Sequence, residues 1–317
     1  MKPVLMFPAF RHGGQTPWGG SALKEVFGKP IPDDHTGEAL ELSAIPGLNS
    51  RDSEGRPLED LIKQYGQELV GEKVSSPFPL LLKLLDARDR LSVQVHPDDT
   101  YAAEKEGKLG KTEAWVILKA EPGAKLVYGI EPGTTLEELK TASEQGKAVE
   151  KLLHEVPVQP GEVYNIPAGT VHAIGAGIVL YEIQQSSDVT YRFYDWDRTD
   201  AQGNRRELHL EKALDVTNLS FEPKASTAKT LEDGPKGLWE RLLDETYFGL
   251  DRYRNCVGLV LTPDARRFSI LTAIEAGKIV CGGEDYSMPA GQTALIPAVC
   301  GPVEMTGGYF LNAFPTV

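Results

Sequence analysis

The chain has 317 residues, 41% of them hydrophobic, with 33 Lys and Arg against 46 Asp and Glu for a formal net charge of −13. That is enough chain for one large or two ordinary globular domains. The acidic balance argues against nucleic acid or an anionic membrane as the main partner, yet leaves room for a phosphorylated substrate held by a few local cations. No apolar run approaches the roughly 20 residues of a membrane span. Pro3 and Pro8 cut the apolar N-terminus and argue against a signal peptide. Cys256, Cys281 and Cys300 are odd in number and late in the chain. They read as buried or free thiols of a cytoplasmic protein, not a disulfide framework.

In chain order, residues 1–50 are rich in Gly and Pro, and Trp18 in such a loop reads as a packing plug. Residues 41–45 alternate polar and apolar and predict a strand. Residues 57–65 carry apolar side chains three and four apart and predict a helix. Apolar runs at 80–85 and 91–95 have strand length. A polar helix is expected at 100–106 and a strand at 113–118. Helical patterns at 134–140 and 144–154 have Thr134 or Thr135 as N-cap and acidic first-turn residues. The helical segments, about 55–70, 99–107 and 134–154, interrupt strands and read as an insertion or lid. Strands follow at 156–159, 163–166, 171–174, 178–184 and 189–194. Short strands separated by Gly/Pro turns predict a mainly β protein, an antiparallel sandwich or barrel.

Residues 220–236 are polar, contain Pro223 and Pro235, and read as a linker to a second strand-rich region at about 245–317. That region holds a faint repeat. Gly161, Ile166, Pro167 and Ala168 recur 130 residues later as Gly291, Ile296, Pro297 and Ala298, and His172 becomes Pro302. The expected division is 1–225 with the chemistry and 226–317 as a copy of the same architecture without it.

The stretch 161–172 reads as a strand entering a tight turn that delivers His172. In 91–99, residues 92, 94 and 96 share one face of a strand, so Ser92, Gln94 and His96 point together. Lys111 and Glu113 share a face of the next strand, as do Glu182 and Gln184 further on. Two histidines and a carboxylate are ordinary zinc ligands, and an amide oxygen adds a neutral fourth.

The pattern Gly161-x5-Pro167-x-Gly169-x2-His172 resembles the second signature motif of cupins, with Ala176 where that motif usually carries Asn. Gln94-x-His96-Pro97-Asp98-Asp99, Lys111-x-Glu113, the Ile166-Pro167-Ala168-Gly169-x-x-His172 turn and Ser186-Ser187-Asp188-x-x-x-Arg192 together resemble type I mannose-6-phosphate isomerases of the short bacterial form. The resemblance implies two cupin-like jelly-roll barrels, the first with the helical insertion. It implies one Zn²⁺ per chain on Gln94, His96, Glu113 and His172, with Arg192, Lys111 and Glu182 as catalytic residues. Ser92 and Arg198 would hold the phosphate of a small sugar substrate. The implied reaction interconverts mannose 6-phosphate and fructose 6-phosphate through a cis-enediol, in a cytoplasmic monomer or weak homo-oligomer. His96, Glu113 and His172 also satisfy the two-histidine-one-carboxylate triad of iron oxygenases. A cupin oxygenase and a non-catalytic sugar-binding cupin are therefore the competing readings.

Overall fold

The computed structural model describes every residue except Ser75 and Ala201. The fold is mainly β, in three antiparallel sheets among the described residues. The six-stranded sheet runs Val163–Ile166, Glu113–Ala120, Ile178–Gln185, Leu80–Ala87, Glu38–Leu42, Ala9–Arg11. The five-stranded sheet runs Tyr191–Tyr194, Val93–Val95, His172–Ile174, Lys125–Ile130, Leu153–Pro157. The nine-stranded sheet takes every strand from Lys229 onward, together with Val4–Phe7 and Arg51–Asp52.

The six-stranded sheet is buried on both faces, one against an apolar core and the other against a cavity lined by charged side chains. All eight residues of Leu80–Ala87 are buried. Side chains alternate across a strand, so Leu80, Leu82 and Leu84 join a core with Phe248, Ile270 and Leu311 of the nine-stranded sheet. Leu81, Lys83 and Leu85 turn the other way and line a cavity. The neighbouring strand does the same: Val179, Tyr181 and Ile183 enter the shared core, while Glu182 faces the cavity. One layer of β-structure thus carries both the joint between the halves and one wall of the site.

A buried ion pair of the N-terminal half is hydrogen-bonded across that joint. Lys29 Nζ lies 2.6 Å from Glu41 Oε1 and donates to the Gly291 carbonyl at 2.6 Å. Thr293 Oγ1 donates to the second Glu41 oxygen at 3.1 Å.

The helix Leu136–Glu144 starts at Thr135 in a full capping box with Glu138. The expected helix at 144–154 is instead a 3₁₀ turn, Gly146–Leu152, followed by the strand Leu153–Pro157. This segment is an insertion: Leu139 and Val149 pack with Val93, Val95, Tyr191 and Phe193 on the face of the five-stranded sheet turned from the cavity. The expected linker is only partly irregular, since the exposed strand Lys229–Gly234 pairs with Gly237–Asp244 as a hairpin. The expected strand at 41–45 lies earlier, at Glu38–Leu42. The repeat is real in conformation. Gly161 and Gly291 have φ of 95° and 80°. Each following turn closes alike, Thr170 N on Pro167 O and Cys300 N on Pro297 O, at 3.1 and 2.9 Å. The three cysteines are free and buried. No helix among the described residues is long and apolar enough to cross a membrane.

Truncating a side chain of the shared core leaves a cavity where both halves meet. Leu84→Ala should lower unfolding free energy by about 2–5 kcal/mol, read by chemical denaturation. An unchanged midpoint would show that the halves do not share this core.

Candidate metal and catalytic site

The site lies between the five- and six-stranded sheets. In the five-stranded sheet, Gln94 pairs across the strands with His172 on one side and Arg192 on the other. Val93 and Val95 turn into the core behind, so Ser92, Gln94 and His96 share the opposite face, as their spacing requires. The turn that delivers His172 is docked on the strand bearing His96, with Gly169 N donating to His96 O at 2.8 Å. Gly169 sits at φ 87°, and a Cβ there would lie 2.9 Å from Val216 O.

Both histidines are buried, 1% exposed. His172 Nδ1 lies 2.9 Å from Thr170 O, and His96 Nδ1 2.9 Å from Val189 O. A carbonyl oxygen only accepts, so each Nδ1 carries the proton and each Nε2 presents a lone pair. Those lone pairs face one carboxylate: His172 Nε2 is 3.4 Å from Glu113 Oε1 and His96 Nε2 is 3.5 Å from Glu113 Oε2. Ligand atoms of all three residues fall within 4.8 Å of one another. Burial keeps both imidazoles neutral, pulling His96 well below its ordinary value and His172 down to about 4. Three acceptors therefore converge with no proton between them, which is what a cation site requires. His96 Nε2 has no hydrogen-bond partner.

Gln94 is adjacent, with its Nε2 3.3 Å from His172 Nε2 and its Oε1 accepting from Ser92 Oγ at 3.3 Å. Rotating the amide by half a turn presents its oxygen to the same point. Buried Lys111 places Nζ 3.1 Å from Glu113 Oε2.

A cavity of about 110 Å³ opens beside this cluster. Of the residues anticipated from sequence, Ser92, Gln94, Lys111, Glu113, Glu182 and Arg192 line it. Arg198 does not. It follows Trp196 and Asp197, both at positive φ, and its guanidinium turns to the Arg90 carbonyl and Asp195. The arginine that reaches the cavity from this segment is Arg206, held by Asp195 through two hydrogen bonds.

Several lining residues were not anticipated. Trp18 is 4% exposed and forms part of the wall. Lys83 bridges Glu182 Oε1 at 2.8 Å and Glu38 Oε1 at 3.5 Å. Arg11 reaches Glu38 Oε2 at 3.1 Å. Trp115 Nε1 donates to Glu182 Oε2 at 3.0 Å. A lysine inside the otherwise apolar run Leu80–Leu85 was the available signal for Lys83. Arg192 is partly buried, its Nε has no partner, and burial lowers its pKa.

Comparison with known proteins gives a consistent family. Residues 11–116 match the family model "Phosphomannose isomerase type I, catalytic domain". The mannose-6-phosphate isomerase of Streptococcus mutans is 39% identical over 284 residues, 88% of either chain. Mannose-6-phosphate isomerase ManA of Bacillus subtilis is 38% identical over 96% of either chain. The crystal structure of a mannose 6-phosphate isomerase from Bacillus subtilis superposes with a TM-score of 0.91 at 32% identity, over 99% of either chain. The cupin-type β architecture, the convergent donor cluster and these relatives agree, and the chain belongs to the type I mannose-6-phosphate isomerases.

Proposed function

We propose that this cavity interconverts mannose 6-phosphate and fructose 6-phosphate, with one zinc ion held by His96, Glu113 and His172 and by the amide oxygen of Gln94. The carrying observation is the convergence of two unprotonated Nε2 atoms on the Glu113 carboxylate. The donor set fits zinc, with two neutral imidazoles, a carboxylate and a neutral amide oxygen. When bound, zinc supplies Lewis-acid polarisation of substrate oxygens.

The cavity's charge favours a phosphorylated ligand. In a chain of net charge −13, five cations (Arg11, Lys83, Lys111, Arg192 and Arg206) and four carboxylates (Glu38, Glu113, Glu182 and Asp188) line one small space, a local balance of +1. Ser92 and Arg206 are the residues we assign to the phosphate. Arg206 is preorganised by its fork on Asp195, and guanidinium suits phosphate geometry. Arg198 does not line this cavity, and we do not assign it to the phosphate.

Isomerisation moves a proton between C2 and C1 through a cis-enediol. Glu182 is the carboxylate placed to carry it, buried, facing the cavity and oriented by Trp115 and Lys83. Lys111 and Arg192 offset the negative charge that develops on the enediolate oxygens. His96 is a poor candidate for base, because its Nδ1 proton is committed to Val189 O and its lone pair to the metal. Family membership supports this reading over an oxygenase or a bare carbohydrate-binding barrel. For the chain's organisation, we assign the chemistry to 1–225 and a scaffolding role to 226–317, where no histidine occurs.

His172→Ala should lose the metal, measured by elemental analysis of the purified protein; full zinc occupancy in that variant rules out the ligand set. Arg192→Ala should keep zinc and fold but lose about 10²-fold or more in turnover, measured as conversion of mannose 6-phosphate to fructose 6-phosphate. Turnover at the parent rate would remove Arg192 from the mechanism.

A further inference from the structure

Four charged side chains form an unbroken row along the inner face of the six-stranded sheet, and the row ends on the carboxylate assigned to proton transfer. Arg11 NH1 is 3.1 Å from Glu38 Oε2. Glu38 Oε1 is 3.5 Å from Lys83 Nζ. Lys83 Nζ is 2.8 Å from Glu182 Oε1. The strands concerned are neighbours, with Arg11 paired to Glu38 and Lys83 paired to Glu182 across the ladder. Glu38, Lys83 and Glu182 are 7%, 4% and 3% exposed. Water does little to screen such a row.

A lone Lys83–Glu182 pair would be a closed, mutually neutralising contact. Glu38 changes that by drawing the same ammonium from the other side. We propose that Glu38, braced by Arg11, is a positioning residue: it shares the Lys83 ammonium and so keeps the Glu182 carboxylate free to exchange a proton with substrate. Arg11 has a matching part. It balances the charge of Glu38, which otherwise would pull Lys83 off Glu182 altogether.

The electrostatics of the row agree. Burial opposes a charge on Lys83, but Glu182 and then Glu38 outweigh it and hold the ammonium charged. Burial likewise opposes the Glu38 carboxylate, and Lys83, then Arg11 and Lys111, pull its pKa down. Trp115 Nε1 fixes the other oxygen of Glu182, so the Lys83 side is where the grip on that carboxylate is set. Neither Glu38 nor Arg11 approaches the convergent histidines within bonding distance, which separates this role from metal retention.

The inference rests on the isomerase reading above, and the experiment separates the two. Glu38→Gln keeps the shape and removes the charge. With zinc-loaded protein and mannose 6-phosphate, kcat should fall about tenfold or more, with KM within about twofold and zinc content unchanged. Arg11→Gln, at a less buried site, leaves Glu38 unbalanced so that it draws Lys83 off Glu182; kcat should fall by a smaller factor because that carboxylate loses its orientation, and this variant decides the matter if Glu38→Gln does not fold. Unchanged kcat, a change confined to KM, or loss of zinc would each overturn the positioning role. Glu182→Gln is the control: if it retains parent turnover, the assignment of Glu182 fails. If it is inactive while Glu38→Gln is unaffected, only the positioning role fails.

Discussion

Two hydrogen bonds to main-chain carbonyls fix the chemistry of this protein. Thr170 O takes the Nδ1 proton of His172 and Val189 O that of His96. Once those protons are placed, both Nε2 lone pairs face Glu113, with Gln94 beside His172, and buried acceptors so gathered are stabilised by a cation or a neighbouring ammonium. Lys111 provides part of that compensation. The carbonyls lie in backbone that the fold holds in place. Thr170 is in the turn docked through Gly169 on His96 O, and Val189 precedes the strand that carries Arg192. Metal-site geometry is thus inherited from main-chain geometry, the most rigid part of a β protein.

The six-stranded sheet links stability to function. Its outer face is a continuous apolar core with the C-terminal sheet, and its inner face carries Lys83, Glu182 and Glu113. Burying ionised side chains costs several kcal/mol each unless they are paired. The row from Arg11 to Glu182 offsets this by alternating charge along its length. The pinning pair Lys29–Glu41 uses the same device at the joint between halves. The C-terminal half retains the turn of the first half, with Pro302 at the position of His172. The turn there packs Ile296 and Cys300 into the apolar core of the C-terminal sheet.

Much of the site was legible because it depends on local rules. Strand alternation grouped Ser92, Gln94 and His96, and the Pro167–Gly169 turn announced His172. Thr134 or Thr135 marked a helix start, and the structure places the cap at Thr135, in a capping box with Glu138. What stayed hidden depends on tertiary register. Glu38 meets Lys83 only because their strands are hydrogen-bonded neighbours, and nothing at a spacing of 45 residues signals it. Arg206 replaces Arg198 at the cavity because the chain turns through two positive-φ residues at 196 and 197, a geometry ordinarily favoured by Gly or Asn. The strand Lys229–Gly234 is exposed at all six positions. Its conformation comes from pairing with Gly237–Asp244 rather than from any buried pattern of its own, so its polar sequence resembled a linker.

The claim on which the rest depends is that the convergent acceptors form one zinc site required for aldose–ketose isomerisation. The most direct measurement is a titration of metal-stripped protein with Zn²⁺, following the conversion of mannose 6-phosphate to fructose 6-phosphate. The account predicts no turnover before addition and a linear rise that breaks at one zinc per chain. Full turnover in the stripped protein, or a break at a different stoichiometry, would contradict it.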